Sequence, residues 1–369
     1  MNQRQQPLRA WSEMTHLNHR ERTTAFQRTR RLAFSAASFL FVVALASPGF
    51  AQLDRVYPTQ GTVVSGTIAA TNPNGVVIRV GGAERAFSLE QIDRVVFNRE
   101  PGPLSDGRSL VQQGQFDAAL TQLSTIKLDD LPPLVKADVQ FYTNYSQSKM
   151  ALAGQGDKGA AIKNMLAFLG TKEGRESFHF YEAAKTLGDL ALAVGSYENA
   201  VKYYTALSGA QSADLKLQSR YLVGWSLLRQ KKVDEAGKAF SDVASANTTS
   251  PEQKRLQKLA AAGLANVAAA KGQPDQGLQE LEKLVAESDP SDAELFARLF
   301  NAQGACFAAK SDPEGAVLAY LKTHLLFPSD PDSHSEALSE LVQLWPQIGH
   351  AERANEARAI LEKQYPGRN

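Results

Sequence analysis

The chain has 369 residues, 43% of them hydrophobic and 21% charged, with 40 basic and 39 acidic side chains. That composition supplies a sizeable core, as one long array or as more than one compact domain, and it excludes a disordered chain. Residues 1–51 hold seven arginines against Glu13 and Glu21, leaving 33 basic and 37 acidic residues beyond. A body with that mild acidic excess lacks the clustered basic face that nucleic-acid binding needs.

In chain order, Arg30-Arg31 is followed by the apolar run LAFSAASFLFVVALAS and then SPGFA, which puts small Gly49 and Ala51 where a signal peptidase reads. The expectation is a signal peptide over 1–51, cleaved after Ala51, and an exported protein of the periplasm or cell envelope. The uncharged stretch from Leu32 to Leu53 also has the length of an uncleaved signal anchor. Pro48-Gly49, however, breaks it where cleavage wants extended backbone. The twin arginine fits a twin-arginine export signal as well as ordinary secretion, and Met14 is an alternative start. Cys306, the single cysteine, excludes an intrachain disulfide, and its setting among small apolar residues in GACFAAK predicts a buried small hydrophobe.

Residues 55–100 read as a small β module. TVVSGTIAA and GVVIRV are β-branched runs flanking the turn Asn72-Pro73-Asn74-Gly75, and RAFSL and QIDRVVF follow Gly81-Gly82. Three to five short strands predict a small curled sheet, SH3-like or Sm-like, which is marginal alone and so packs on the helices or on a partner. Arg99-Glu100-Pro101-Gly102-Pro103 reads as a linker.

From Leu104 the apolar period becomes helical. Seven small residues (Ala119, Ala161, Ala200, Ala236, Gly277, Ala316 and Ala354) recur at separations of 42, 39, 36, 41, 39 and 38. Five positions before each lies Gly114, Gly156, Gly195, Lys231, Gly272, Ser311 or Gly349, where a helix stops and a tight turn starts. Four positions after each comes Leu123, Met165, Tyr204, Phe240, Leu281, Tyr320 or Arg358, mostly bulky and on the same helical face. The pattern predicts about seven antiparallel helix pairs whose backbones approach closely at the small residue. It resembles the tetratricopeptide repeat over residues 104–369: the Leu-Gly pair of the family's first helix appears as Leu187-Gly188, Val223-Gly224 and Gln303-Gly304, and its closing proline as Pro328 and Pro366. The resemblance implies a mainly α, right-handed α-α superhelix following the β module. The segments FPSDPDSHSEAL and RANEARAILEKQYPG also look similar to periplasmic tetratricopeptide proteins of envelope assembly.

Motifs for chemistry are weak. GQGDKG at 154–159 has dinucleotide-loop spacing but follows a helical pattern, so it reads as a repeat turn. The histidines (His16, His19, His179, His324, His334 and His350) show no metal-ligating pair, and no serine stands in a nucleophile elbow. No enzyme, no metal and no cofactor are expected, although a helical hydrolase with paired carboxylates would leave no linear signature. The family resemblance implies instead a concave groove for a protein or peptide, and residues of the matching kind are Lys185, Asp189, Gln218, Tyr221, Trp225, Arg229, Asn266, Arg298 and Asn301. Trp225 is the leading anchor candidate. Asp189 stands where the family's lysine-and-asparagine clamp would need asparagine. The expected function is a protein-protein interaction scaffold in the cell envelope. The alternative makes the β module the binding domain for a cell-wall or membrane partner, with the repeats as an oligomerisation arm.

Overall fold

A computed structural model describes residues 53–367; the expected signal peptide, with His16, His19 and Met14, lies outside the described residues. The β-branched runs form five antiparallel strands, β1 (Asp54–Pro58), β2 (Val64–Asn72), β3 (Gly75–Val80), β4 (Ala83–Ser88) and β5 (Ile92–Val96), in the order β4-β3-β2-β1-β5. A 3-10 turn, Leu89–Gln91, links β4 to β5. The sheet curls because β2 serves both halves: Val64–Gly66 pair with β1, and Thr67–Asn72 with β3 across a bulge at Ala69. Gly66 sits at the change of partner, where a Cβ would strike the Arg79 carbonyl. The Asp54 carboxylate fastens the closing edge, accepting from the Ile68 and Asn98 amides at 2.6 Å each.

Seven helix pairs follow: α1 (Gly102–Gln112) with α2 (Phe116–Leu123), α3 (Pro133–Leu152) with α4 (Lys158–Gly170), and, after the short α5 (Lys172–Arg175), α6 (Phe180–Ala193) with α7 (Tyr197–Ala206). Then come α8 (Ala213–Arg229) with α9 (Val233–Ala244), α10 (Pro251–Ala270) with α11 (Pro274–Glu287), α12 (Ala293–Ala309) with α13 (Pro313–Leu326), and α14 (Pro331–Leu344) with α15 (Ala351–Gln364). All seven turn positions have positive φ, from 59° at Ser311 to 146° at Gly156, and all seven small residues are buried. The bulky residue four further on is buried in six pairs; Arg358 is exposed, and Leu361 fills the place in α15.

Close helix contact has a second signature. Gly107, Gly188, Gly224 and Gly304 each lie sixteen residues before Leu123, Tyr204, Phe240 and Tyr320, and the bulky side chain of the second helix occupies the space a Cβ would take on the first. The hole is made by glycine and filled by a ring in three pairs and by Leu123 in the first, so neither helix tolerates sliding.

The sheet and the helices share one core and belong to one compact unit, Ala51–Asn369. Val56, Val76, Ile78, Phe87 and Val95 pack with Leu104, Leu123, Val135 and Val139 of α1–α3, each worth about 1.5–3 kcal/mol in burial. The expected linker does more than connect: Gly102 starts α1, and Glu100 is a buried partner of Arg108. Arg108 donates twice to Glu100 at 3.0 Å and to Asp138 of α3 at 2.7 Å; Asp138 also pairs with His179 Nε2 at 2.7 Å. Burial opposes ionisation of Asp138, but Arg108 and His179 outweigh it and hold the carboxyl below its usual range. The β2–β3 turn adds a second attachment, Asn74 Oδ1 accepting from the Gln211 amide at 2.7 Å.

Candidate functional site

The first helices of the pairs line the inside of the array. The coil is tight enough for distant repeats to touch: Arg229, ending α8, reaches Glu336 of α14 at 2.9 Å, and Lys158 Nζ donates to the Pro366 carbonyl at 3.0 Å. The interior is therefore no long open groove. Two adjoining pockets lie within it, of about 660 Å³ and about 170 Å³.

The larger pocket gathers six of the nine sequence candidates: Lys185, Asp189, Gln218, Tyr221, Trp225 and Arg298. Helical spacing explains this, since Gln218, Tyr221 and Trp225 form one stripe on α8, and Lys185 and Asp189 face inward one turn apart on α6. Arg229 continues the α8 stripe but lines the smaller pocket. Asn266 and Asn301 line neither. Asn266 donates to the Ala262 carbonyl of its own helix at 3.1 Å, and Asn301 donates to Ser333 O at 2.8 Å, joining α12 to α14. For these two the groove expectation gives way to a packing role.

Most of the polar groups among these candidates are engaged within the wall. Lys185 pairs with Asp189 at 2.9 Å, and the Tyr204 hydroxyl donates to the other Asp189 oxygen at 2.8 Å. A carboxylate at position 189 thus neutralises the lysine that asparagine would have left available. Arg298 meets Asp332 at 2.8 Å and Asp330 at 3.3 Å, and Arg229 meets Glu336. Trp225, the expected anchor, is 3% exposed, edge-on to Phe240 and covered by the Arg298 guanidinium at 4.6 Å, so it belongs to the wall and the core. Arg298 Nε is buried without a hydrogen-bond partner among the described residues.

Linear spacing missed Tyr145, Lys149, Arg255 and Glu294, which complete the pocket. Lys149 forms no ion pair among the described residues; it lies 5.0 Å from the Tyr145 ring centre, and burial followed by the nearby Lys185 charge lowers its pKa. Arg255 is tied to Asp292 at 2.6 Å and Glu294 at 2.7 Å. A pair on one helix at i, i+4, as with Tyr145 and Lys149, was legible in principle, but this first-helix pattern departs from the later repeats.

Other expectations on the described residues resolve simply. GQGDKG follows α3 and opens α4, whose first turn Asp157 caps by accepting from Gly159 and Ala160, so it is a turn. Cys306 is buried, its thiol pushed up to about 11 by burial. His324 and His334, unpaired in sequence, stack with Nδ1 and Nε2 2.7 Å apart. Among the described residues, no group of histidine, cysteine and acid has the geometry of a metal site, and no helix is long and apolar enough to cross a membrane.

Residues 185–251, from within α6 to the first residue of α10, match the family model described as tetratricopeptide repeat. The match covers those residues alone; the other helix pairs share the turn and close-contact geometry described above. Among solved structures, a tetratricopeptide repeat protein from Parabacteroides merdae is similar, at 14% identity and a TM-score of 0.39, covering 64% of this chain and 97% of that one. No curated protein matches the chain. Tetratricopeptide proteins are in general non-catalytic scaffolds for protein-protein interaction.

Proposed function

We propose that this protein is an exported, non-catalytic scaffold of the cell envelope whose inner pocket holds a segment of another protein. The supporting observation is the convergence of seven helix pairs on one pocket of about 660 Å³ with an aromatic lining and most of its charges paired inside its own wall. A wall of that kind selects by shape and a few directed contacts, and a stiff array spares the ordering cost of binding. The leader-like sequence of residues 1–51 supports export. The β module serves as the foundation of the first pairs, since its core is theirs; deleting 55–100 would uncover Leu104, Leu123, Val135 and Val139 and would report on folding.

The test uses Tyr145 and Lys149, which line the pocket, are half-buried and stand outside its ion pairs. Tyr145→Ala with Lys149→Glu is expected to abolish a specific crosslinked partner in a native-envelope pull-down while leaving the helical circular dichroism unchanged. Undiminished capture of the same partner by the double variant removes the assignment.

A further inference from the structure

The larger pocket is short of acceptors. Its lining carries the cations Lys149, Lys158, Lys185, Arg255 and Arg298, and all but one have an oxygen partner. Lys185 has Asp189, Arg255 has Asp292 and Glu294, Arg298 has Asp332, and Lys158 donates to the Pro366 carbonyl. Lys149 is the exception: its ammonium has neither an ion pair nor a hydrogen bond among the described residues. Asp189, Glu182 and Asp330 lie near enough to favour its charged form, but each is held more closely by another group. Asp189 is taken by Lys185 and the Tyr204 hydroxyl, Glu182 by the Tyr145 hydroxyl, and Asp330 by Arg298 at 3.3 Å and the Ser333 amide at 3.0 Å.

Two more groups share the deficit. Gln218, half-buried on the α8 stripe, makes no side-chain hydrogen bond among the described residues, and Arg298 Nε, deeper in the wall, has no acceptor either. An ammonium and a guanidinium can only donate, and an amide can donate, so what the wall lacks is an acceptor. Burial, followed by the charge of Lys185, makes the unpaired ammonium of Lys149 costly to keep. The Tyr145 ring, 5.0 Å away and one turn back on α3, attracts the cation but accepts none of its protons as a carboxylate does. On the same face of α3 lies Leu152, and Phe116 meets Tyr145 edge-on at 6.2 Å. An ammonium that wants an acceptor thus stands beside an apolar and aromatic floor.

We propose that the partner segment held in the larger pocket presents an acidic side chain, whose carboxylate pairs with Lys149 while apolar neighbours in the segment rest on Phe116, Tyr145 and Leu152. The carboxylate belongs to a side chain and not to a chain end, because the lysine-and-asparagine clamp for a terminus is missing: Asp189 stands in place of the asparagine and occupies Lys185. This inference rests on the reading of the interior as a peptide-binding surface and specifies the group that the surface recognises.

The probe is the capped pentapeptide acetyl-Gly-Phe-Glu-Leu-Gly-amide, with counterparts carrying glutamine or lysine for the glutamate, titrated onto the full chain by saturation-transfer NMR. The unaltered chain is expected to bind the glutamate peptide at least about tenfold more tightly than the glutamine peptide, the effect of one charge-assisted hydrogen bond. Lys149→Gln is expected to remove that difference, Lys149→Arg to keep most of it, and Lys149→Glu to turn the preference toward the lysine peptide, all at unchanged circular dichroism. The glutamine peptide with a free C-terminal carboxylate is expected to bind no better than its amide. Equal binding of the glutamate and glutamine peptides by the unaltered chain, a difference that survives Lys149→Gln, or failure of every peptide to bind overturns the inference. If it is overturned while Tyr145→Ala with Lys149→Glu still loses its envelope partner, the proposed function stands without it.

Discussion

Gly188→Ala tests the helix-contact argument because two effects of known size oppose each other. In the interior of a helix, alanine is ordinarily better than glycine by about 0.5–1 kcal/mol. At Gly188 the new Cβ would meet Tyr204 Cδ1 at 2.5 Å and Cζ at 2.7 Å, well inside carbon contact. The ring has no room to yield: Tyr204 is 1% exposed, and its hydroxyl is held by Asp189, which also holds Lys185. Overpacking of this kind costs about 1–3 kcal/mol, so the net expectation is a loss of about 1–2 kcal/mol and a fall of about 1.5–3 °C in the thermal midpoint. Gly170→Ala is the control, for nothing lies within 4 Å of its Cβ position, and it is expected to stabilise by a few tenths to about 0.5 kcal/mol. Combining Gly188→Ala with Tyr204→Leu frees the space, and the double variant is expected to be more stable than the sum of the singles by about 1 kcal/mol. Urea and thermal melts of the four proteins decide it. A Gly188→Ala protein as stable as Gly170→Ala would refute the close approach on which the array is built.

Three further expectations can be checked with the same melts. Lys231, at φ 60° in a turn where five of the seven repeats have glycine, should gain about 1 kcal/mol on Lys231→Gly by relief of left-handed strain; Gly195→Ala should lose a similar amount. Asp138→Asn leaves the buried Arg108 with Glu100 alone and should cost about 3 kcal/mol or more, with amide exchange rising first in α1, α3 and β5. The His324–His334 pair gives an acid dependence. Burial, then the neighbouring His324, lowers His334 from 6.5 to about 4, with Asp330 opposing and Tyr365 at the other ring nitrogen. Between those values the unfolded chain binds the extra proton and the folded chain does not, so this contribution is complete above pH 6.5 and fades as pH falls toward 4. Allowing for solvent screening, going from pH 7 to pH 5 should cost about 1–2 kcal/mol, and His334→Gln should flatten that slope.

What was legible in the sequence follows from the range of the interaction that fixes each feature. The turn glycines and the small residues five positions on are set by geometry within one hairpin, so a fixed offset reveals them; even Lys231 and Ser311, the wrong residue types for positive φ, are found by the offset. The spacing of sixteen from glycine to bulky side chain is equally local and was there to be read at Gly107 with Leu123 as well as at Gly188 with Tyr204. By contrast, Arg229 with Glu336 and Lys158 with Pro366 depend on how many degrees each repeat turns relative to the last, a sum over several interfaces that no single offset encodes. That sum decides whether the first helices face an open groove or one another. Its value here explains why Trp225 and Arg229, chosen for their inward direction, end as wall and ion pair. At this curvature an inward residue meets another repeat, and among the described residues Tyr145, Lys149 and Gln218 line the pocket half-buried and outside its ion pairs.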